Sequence, residues 1–277
     1  MTVLSLIDYA ALAAVVVIGV PHGAFDGAVA SHLGLAATWR RTALFIMAYL
    51  GIAALALGVW MLFPVPSLCA FLAYSLVHFG LGDLRPADVT LPQVQRYLKI
   101  FLYGGLSIVL IPAMHWQDVS ALFKMLTGGV EVEILGQVMR YLGITWGVLF
   151  IWFSVMVLRG KQDKFSLTEL YLTAIMMVLL PPLVGFAIYF CAIHSRKHFQ
   201  LIWQKLWQTN DSKPLLKLAI IFSLASWLMM AIAIALETNL GDFDGAVIRV
   251  VFIGLSCLTI PHMMLIDGMF RPKLNQA

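Results

Sequence analysis

Apolar residues form long runs along this chain, and charged and turn-forming residues fall mostly between the runs. A helix needs about 20 mainly apolar residues to cross the hydrocarbon core of a bilayer. By that measure the pattern predicts nine candidate membrane segments: Leu4 to about Ala30, Thr42–Phe63, Ser67–Gly82, Tyr97–Pro112, Leu135–Leu158, Phe165–Leu180, Leu183–Ile202, Leu215–Leu236 and Ala246–Ile266. Only Pro181-Pro182 separates the sixth from the seventh, so eight segments with one bent or re-entrant element is the alternative. The predicted fold is an all-α, polytopic transmembrane helix bundle of about eight to nine spans.

The composition agrees with this pattern. Hydrophobic residues make up 61% of the 277 residues and charged residues only 12%, whereas a typical soluble domain carries about 25% charged residues. So little charge cannot cover a water-facing surface, which excludes a soluble globular or a disordered chain. The net charge of +4 comes from Lys and Arg spread along the sequence, so we expect no nucleic-acid partner. No linker divides the chain, and we expect a single integral-membrane domain over residues 1–277.

The positions of the charges predict an orientation. With nine spans and the N-terminus outside, the outside connections hold Lys124 and a group of acidic residues. The inside connections then hold most of the basic residues: Arg40, Arg41, Arg85, Arg96, Lys99, Arg159, Lys161, Lys164, Arg196, Lys197, Lys205, Lys213, Lys217, Arg271 and Lys273. Basic residues are enriched on the cytoplasmic side of membrane proteins. We therefore expect a multi-pass protein of the cell inner membrane, with its N-terminus outside and its C-terminus in the cytoplasm.

Histidines are the most informative polar residues. Five of the seven lie in or at the ends of the apolar runs, namely His22, His78, His194, His198 and His262. A polar ring at membrane depth is costly unless it faces the bundle interior and finds a partner, so such residues indicate function. All five fall on odd-numbered runs, which cross the membrane in the same direction under the predicted topology. We therefore expect them in one layer, in the inner half of the bilayer.

This layer predicts a metal site. His194 and His198 are spaced i, i+4 and lie on one helix face, where two imidazoles can bind one ion. His22 and His78 lie at matching depth, and an imidazole-rich site suits iron, zinc, copper or nickel. Asp26 follows His22 by one helical turn and is a candidate to accept the second ring N–H of a ligand histidine. Asp83, close to the inner membrane boundary, is expected to be solvated.

The four histidine segments GVPHGAFDG, LVHFGLGD, YFCAIHSRKHF and TIPHMMLID also carry a family resemblance. In order and spacing they resemble the Brp/Blh family of bacterial and archaeal membrane β-carotene 15,15′-dioxygenases, which supply retinal to microbial rhodopsins. The resemblance implies Fe(2+) held by His22, His78, His194 and His198. It also implies cleavage by O2 of the central 15,15′ double bond of all-trans-β-carotene, which gives two all-trans-retinal molecules.

The resemblance assigns no catalytic residue beyond the metal site. His262 is not among the implied ligands and, with Asp26, is a candidate to support a ligand or to line the substrate pocket. Aromatic residues beside the histidines suit a polyene that arrives from the lipid bilayer. A non-enzymatic membrane protein that binds metal or haem, or a transporter, is the alternative that the residues alone leave open.

Overall fold

Helices account for all the regular secondary structure within the residues that the computed structural model describes, which are 4–160, 163–206, 212–238 and 242–270. In these ranges seven helices are long and apolar enough to cross a membrane: Leu6–His32, Trp39–Leu62, Pro64–Asp83, Gln93–Met114, Glu133–Leu158, Leu216–Thr238 and Phe243–Phe270. The all-α polytopic prediction is confirmed, and the chain is compatible with a multi-pass membrane protein. The number of qualifying spans is slightly lower than the eight to nine predicted.

The difference lies in the sixth and seventh predicted segments. The helix Lys164–Leu179 has 16 residues, so its length is about 24 Å at 1.5 Å per residue, short of the roughly 30 Å hydrocarbon core. After Pro181, the helix Pro182–Ile188 continues through a π turn at Tyr189–His194 into Ser195–Leu206. The last of these helices is rich in charged and polar residues, which lowers the hydropathy of the stretch.

The pattern of contacts between residues divides the chain into two compact units. The first contains the described residues of 3–68 and 195–277, and the second contains residues 69–194. Four of the histidine positions fall in pairs, His198 and His262 in the first unit and His78 and His194 in the second. The single domain over 1–277 stays a prediction.

In the first unit, the helix Phe243–Leu265 packs on Trp39–Leu62 and Ser212–Thr238, and the latter packs on the N-terminal span. That span is irregular before Pro21, where a π turn covers Val15–Gly19. In this turn the Val16 carbonyl would accept a hydrogen bond from residue 21, but proline has no N–H. Trp227 Nε1 donates to the Val16 carbonyl at 2.8 Å instead. A half-buried side chain thus satisfies a carbonyl that lipid could not.

Two glycines hold the helices of the second unit close together. A Cβ atom at Gly104 would lie 1.9 Å from the Leu76 carbonyl oxygen, and one at Gly80 would lie 2.2 Å from the Ile100 carbonyl oxygen. Small residues are the usual way for membrane helices to approach backbone to backbone. The contact fixes the helix Pro64–Asp83, which carries a histidine at its buried face.

Candidate active site

Two imidazoles meet inside the second unit. His78 lies on the helix Pro64–Asp83, and His194 is the last residue of the π turn Tyr189–His194. Their ring centroids are 5.1 Å apart with the planes at 68°, and both side chains are almost fully buried. Phe79 packs against the His194 ring with the centroids 4.6 Å apart. The predicted ligands His78 and His194 are therefore neighbours in an aromatic, water-poor environment.

A carboxylate and a phenol stand behind this pair. Asp83 Oδ1 lies 3.4 Å from His194 Nδ1, and the Tyr189 hydroxyl donates to Asp83 Oδ2 at 2.8 Å. Asp83 is only 1% exposed, so the expectation of a solvated carboxylate at this position is wrong. Its histidine partner is 111 residues away in sequence, on another helix, so its spacing from His78 gave no hint of this contact.

The first unit repeats the arrangement. The rings of His198 and His262 have centroids 5.0 Å apart with the planes at 64°. His262 Nδ1 lies 2.8 Å from Asp26 Oδ1, and the Tyr49 hydroxyl donates to Asp26 Oδ2 at 2.8 Å. Each unit therefore contains two packed imidazoles, a carboxylate beside one of them and a tyrosine hydroxyl on that carboxylate. We call each of these groups of four residues a Tyr-Asp-His-His cluster.

Asp26 has a partner that the sequence did not predict. His262, a residue 236 positions away, binds its carboxylate. The i, i+4 spacing predicts a contact of Asp26 with His22, whose backbone belongs to the 3-10 segment Val20–Phe25 just before the α-helix that begins at Asp26. The side chain of His22 lies outside the described part of the structure, so this contact stays a prediction.

Sequence reasoning missed both tyrosines as functional residues. Tyr49 is 23 positions from Asp26 and Tyr189 is 106 positions from Asp83. Neither lies at a helical spacing from its carboxylate, so only the packing of different helices could reveal them. The one available signal was the proximity of Tyr189 to the H-x-x-x-H motif in sequence.

The described residues fit an imidazole-ligated metal in their chemistry. His78, His194 and His198 are each at most 1% exposed, and neutral imidazole nitrogen is a usual ligand of iron. Among the side chains that the structure describes, no three or more His, Cys, Asp or Glu are grouped so as to hold one ion. The ligand set of His22, His78, His194 and His198 stays a prediction.

Seven long apolar helices and two buried Tyr-Asp-His-His clusters place this chain in the class of polytopic helical membrane proteins with buried histidine sites. The family model described as beta-carotene 15,15′-dioxygenase matches residues 13–270. The chain belongs to this family, and the resemblance stated from its motifs is confirmed.

Two curated relatives agree with the assignment. The chain is 36% identical to the beta-carotene 15,15′-dioxygenase of uncultured marine bacterium 66A03, over 99% of this chain and 98% of that protein. It is 30% identical to the probable beta-carotene 15,15′-dioxygenase Blh of Halobacterium salinarum, over 68% of this chain and 59% of that protein. No solved structure matches the chain.

Proposed function

We propose that this protein is a β-carotene 15,15′-dioxygenase that cleaves the central double bond of all-trans-β-carotene with O2 to give two all-trans-retinal molecules. The observation that carries the proposal is the 36% identity, over nearly the full length of both chains, to a protein named for this reaction. The two buried clusters support it, because all their residues except Tyr49 lie on the segments where the family motifs occur. The retinal would serve as the chromophore of a microbial rhodopsin. Family membership favours this enzymatic function over the alternative of a metal- or haem-binding protein or transporter.

In this proposal His22, His78, His194 and His198 hold Fe(2+). When bound, the iron supplies the redox chemistry with dioxygen, and four neutral imidazoles leave it its full positive charge. The chain's own contribution begins with orientation. A carboxylate only accepts hydrogen bonds, so Asp83 beside Nδ1 of His194 favours the tautomer with the proton on that atom. Nε2 of His194 then keeps its lone pair for a metal.

Asp26 acts on the first unit in the same way, but through one more residue. His262 donates its Nδ1 proton to the Asp26 carboxylate, and its ring packs at a steep angle against His198. His262 thereby holds the orientation of the His198 ring by contact. Asp26 and His262 are therefore positioning residues in this proposal.

The surroundings exclude water. Rings of Phe79, Tyr189 and Phe190 lie within 6.5 Å of the His194 ring, measured between centroids. Apolar walls of this kind would keep competing water from the reacting carbons. The reaction needs no general base that the described residues would have to supply.

Metal and product analysis on the purified full-length protein tests the proposal. We expect about one iron per chain and release of all-trans-retinal from β-carotene in detergent, with activity lost on chelation and restored by Fe(2+). Activity that is indifferent to chelators, in protein without iron, contradicts it. A Soret band in the visible spectrum would instead support the haem-binding alternative. Labelling of both retinal oxygens from 18O2 distinguishes dioxygenase from monooxygenase chemistry.

We also infer that the N-terminus faces outward and the C-terminus the cytoplasm, in the cell inner membrane. The distribution of Lys and Arg among the connections supports this orientation. Fusions of a periplasmic and a cytoplasmic reporter to the C-terminus test it. Activity of the periplasmic reporter at the C-terminus would contradict the inferred topology.

A further inference from the structure

A cavity of about 310 Å³ lies among helical segments of the first unit. One wall is the stretch from Val20 to Gly27, and the others belong to the helices Trp39–Leu62, Ser212–Thr238 and Phe243–Leu265. On these three helices the lining residues recur every three or four positions, the spacing of a single helix face. The cavity therefore runs along the helix axes, between stripes of side chains.

The lining residues also give its length. They extend from Phe222 to Met229 on one helix and from Leu255 to His262 on another. Seven residues of α-helix rise about 10 Å, so the lining extends about 10 Å along the helix axes. We call this cavity the slot; its volume of about 310 Å³ is at the lower end of the usual size of ligand sites.

The two ends of the slot differ in exposure. Its rim includes Leu50 and Met229, which are 48% and 53% exposed on the outer surface of the first unit. Its inner end includes Asp26 and His262, each 3% exposed. An exposed apolar helix surface is the kind that lipid covers in a membrane protein, so this rim offers a molecule in the bilayer a sideways entry.

The polar groups at the inner end bond to one another. The Asp26 carboxylate accepts from both Tyr49 and His262, and the Thr259 hydroxyl donates to the Leu255 carbonyl at 2.6 Å. The rest of the lining is mainly apolar, and Phe45 and Phe222 add two aromatic rings to the wall. The lining therefore suits a hydrocarbon.

We propose that this slot binds a carotenoid that enters from the bilayer. The slot holds one end ring and the adjoining polyene, and the polyene runs toward the His198–His262 pair. The proposal rests on the function proposed above and assigns the substrate-binding side of that site. His262 lines the inner end of the slot and packs on the proposed ligand His198, so an end ring seated in the outer part of the slot directs the polyene inward, toward this pair. A rigid polyene loses less conformational freedom on binding than a saturated acyl chain, which favours the carotenoid over a lipid tail.

A pair of matched variants tests the slot. Ala225 and Ala231 are exposed alanines on the same helix, six residues apart, and only Ala225 is among the lining residues. Ala225→Phe would obstruct the outer part of the slot, and Ala231→Phe would add the same ring elsewhere. Binding of β-carotene to the iron-loaded, full-length protein is measured without oxygen, by quenching of tryptophan fluorescence, so that no turnover is needed.

We expect Ala225→Phe to raise the Kd for β-carotene by roughly 10–200-fold, the usual range for an added group in an apolar pocket, and Ala231→Phe to leave it within about twofold. An unchanged Kd in folded Ala225→Phe protein overturns the proposal, as does equal weakening by both variants. Displacement of β-carotene by palmitate at comparable concentrations also overturns it, because the slot would then be a lipid-tail site.

A second variant decides the question if Ala225→Phe does not fold. A Cβ atom at Gly23 would have His262 Nδ1 as its nearest neighbour, 4.0 Å away, so Gly23→Ala adds a methyl group without a clash and narrows the inner end. We expect a Kd several-fold higher, and an unchanged Kd again counts against the slot. If the wild type binds β-carotene and the variants do not, but no retinal forms in oxygen, the proposed function fails while the slot stands.

Discussion

Two aspartates can be exchanged for asparagine in a matched comparison that tests the roles of the clusters. Asp83 lies directly beside the proposed ligand His194, whereas Asp26 binds His262, which only packs on the proposed ligand His198. Asparagine has nearly the same shape and can still accept from the tyrosine hydroxyl through its amide oxygen. The change removes the negative charge that polarises the imidazole.

The structure sets the expected size of each effect. The side chains of Asp83 and His194 are both 0% exposed, so no water can replace the lost partner. Loss of a carboxylate behind a ligand histidine costs about 10–100-fold in metal affinity, which is about 1.4–2.8 kcal/mol. We expect Asp83→Asn to fall in this range. Asp26→Asn acts through one further residue and should cost less, about two- to tenfold, well below the effect at Asp83.

The assay is competition for Fe(2+) between the protein and a calibrated chelator, under anaerobic conditions in detergent. It reads metal affinity without turnover, and thermal unfolding of the same samples checks that both variants fold. The order of the two effects decides the matter. If Asp26→Asn lowers the affinity as much as Asp83→Asn, or if Asp83→Asn stays within threefold of wild type, the assigned roles are wrong.

Three further predictions concern single residues. His78→Ala should abolish retinal formation and lower the iron content, and full iron content measured by mass spectrometry with wild-type activity would exclude His78 as a ligand. Gly104→Ala, whose Cβ would lie 1.9 Å from a carbonyl oxygen, should destabilise by about 1–3 kcal/mol. Gly147→Ala, with no atom within 4 Å, should be neutral or stabilise by up to about 1 kcal/mol, and equal melting temperatures would refute the contrast. Asp163→Ala removes the N-cap of Lys164–Leu179 and should cost about 1 kcal/mol at neutral pH, with a smaller loss of stability toward acid pH than in the wild type.

The acid dependence at Asp163 follows from the sign of its pKa shift. Burial acts to raise the pKa of Asp163, but hydrogen bonds from the backbone N–H groups of Ser166 and Phe165, from the Ser166 hydroxyl, and the charge of Arg85 outweigh it and lower the pKa. A carboxyl group with a lowered pKa stabilises the folded state above its unfolded pKa, and this stabilisation declines as the pH falls through the folded pKa. Thermal unfolding between about pH 7 and pH 3 measures it. A parallel pH dependence in the variant and the wild type would show that Asp163 contributes nothing.

The helices could be predicted from the sequence because a long, continuous apolar run forms a helix in lipid, where every backbone group must be hydrogen-bonded within the segment. The candidate site was predictable as a set of residue types for a related reason, since histidines at membrane depth are costly without a role. Their partners were not predictable. The two carboxylates bind histidines more than 100 positions away, and such pairs are decided by which helix faces pack together.

The π turns also limit what helical periodicity can predict. A π turn inserts one extra residue and rotates everything after it by about 100° relative to a regular helix. Such turns precede Pro21 at Val15–Gly19 and end at His194. The helical periodicity read from the sequence assumes 3.6 residues per turn throughout, so it assigns the wrong face to side chains beyond each turn. Deviations of this kind are frequent at functional sites, and here they adjoin two of the predicted ligand positions.

Each cluster contains a buried carboxylate, which has a cost in apolar surroundings and a use at the proposed metal site. A carboxylate without partners in apolar surroundings costs several kcal/mol, yet a ligand imidazole needs an acceptor behind it to fix its tautomer. Each buried aspartate has two polar neighbours that stabilise its negative charge, a tyrosine hydroxyl and a histidine Nδ1. The tyrosine hydroxyl stabilises the charge through the carboxylate oxygen that does not face the imidazole, Oδ2 in the case of Asp83. Tyr189→Phe should therefore leave the His194 tautomer intact and weaken Fe(2+) binding less than Asp83→Asn does, whereas the reverse order would mean that the phenol, not the carboxylate, holds the imidazole in place.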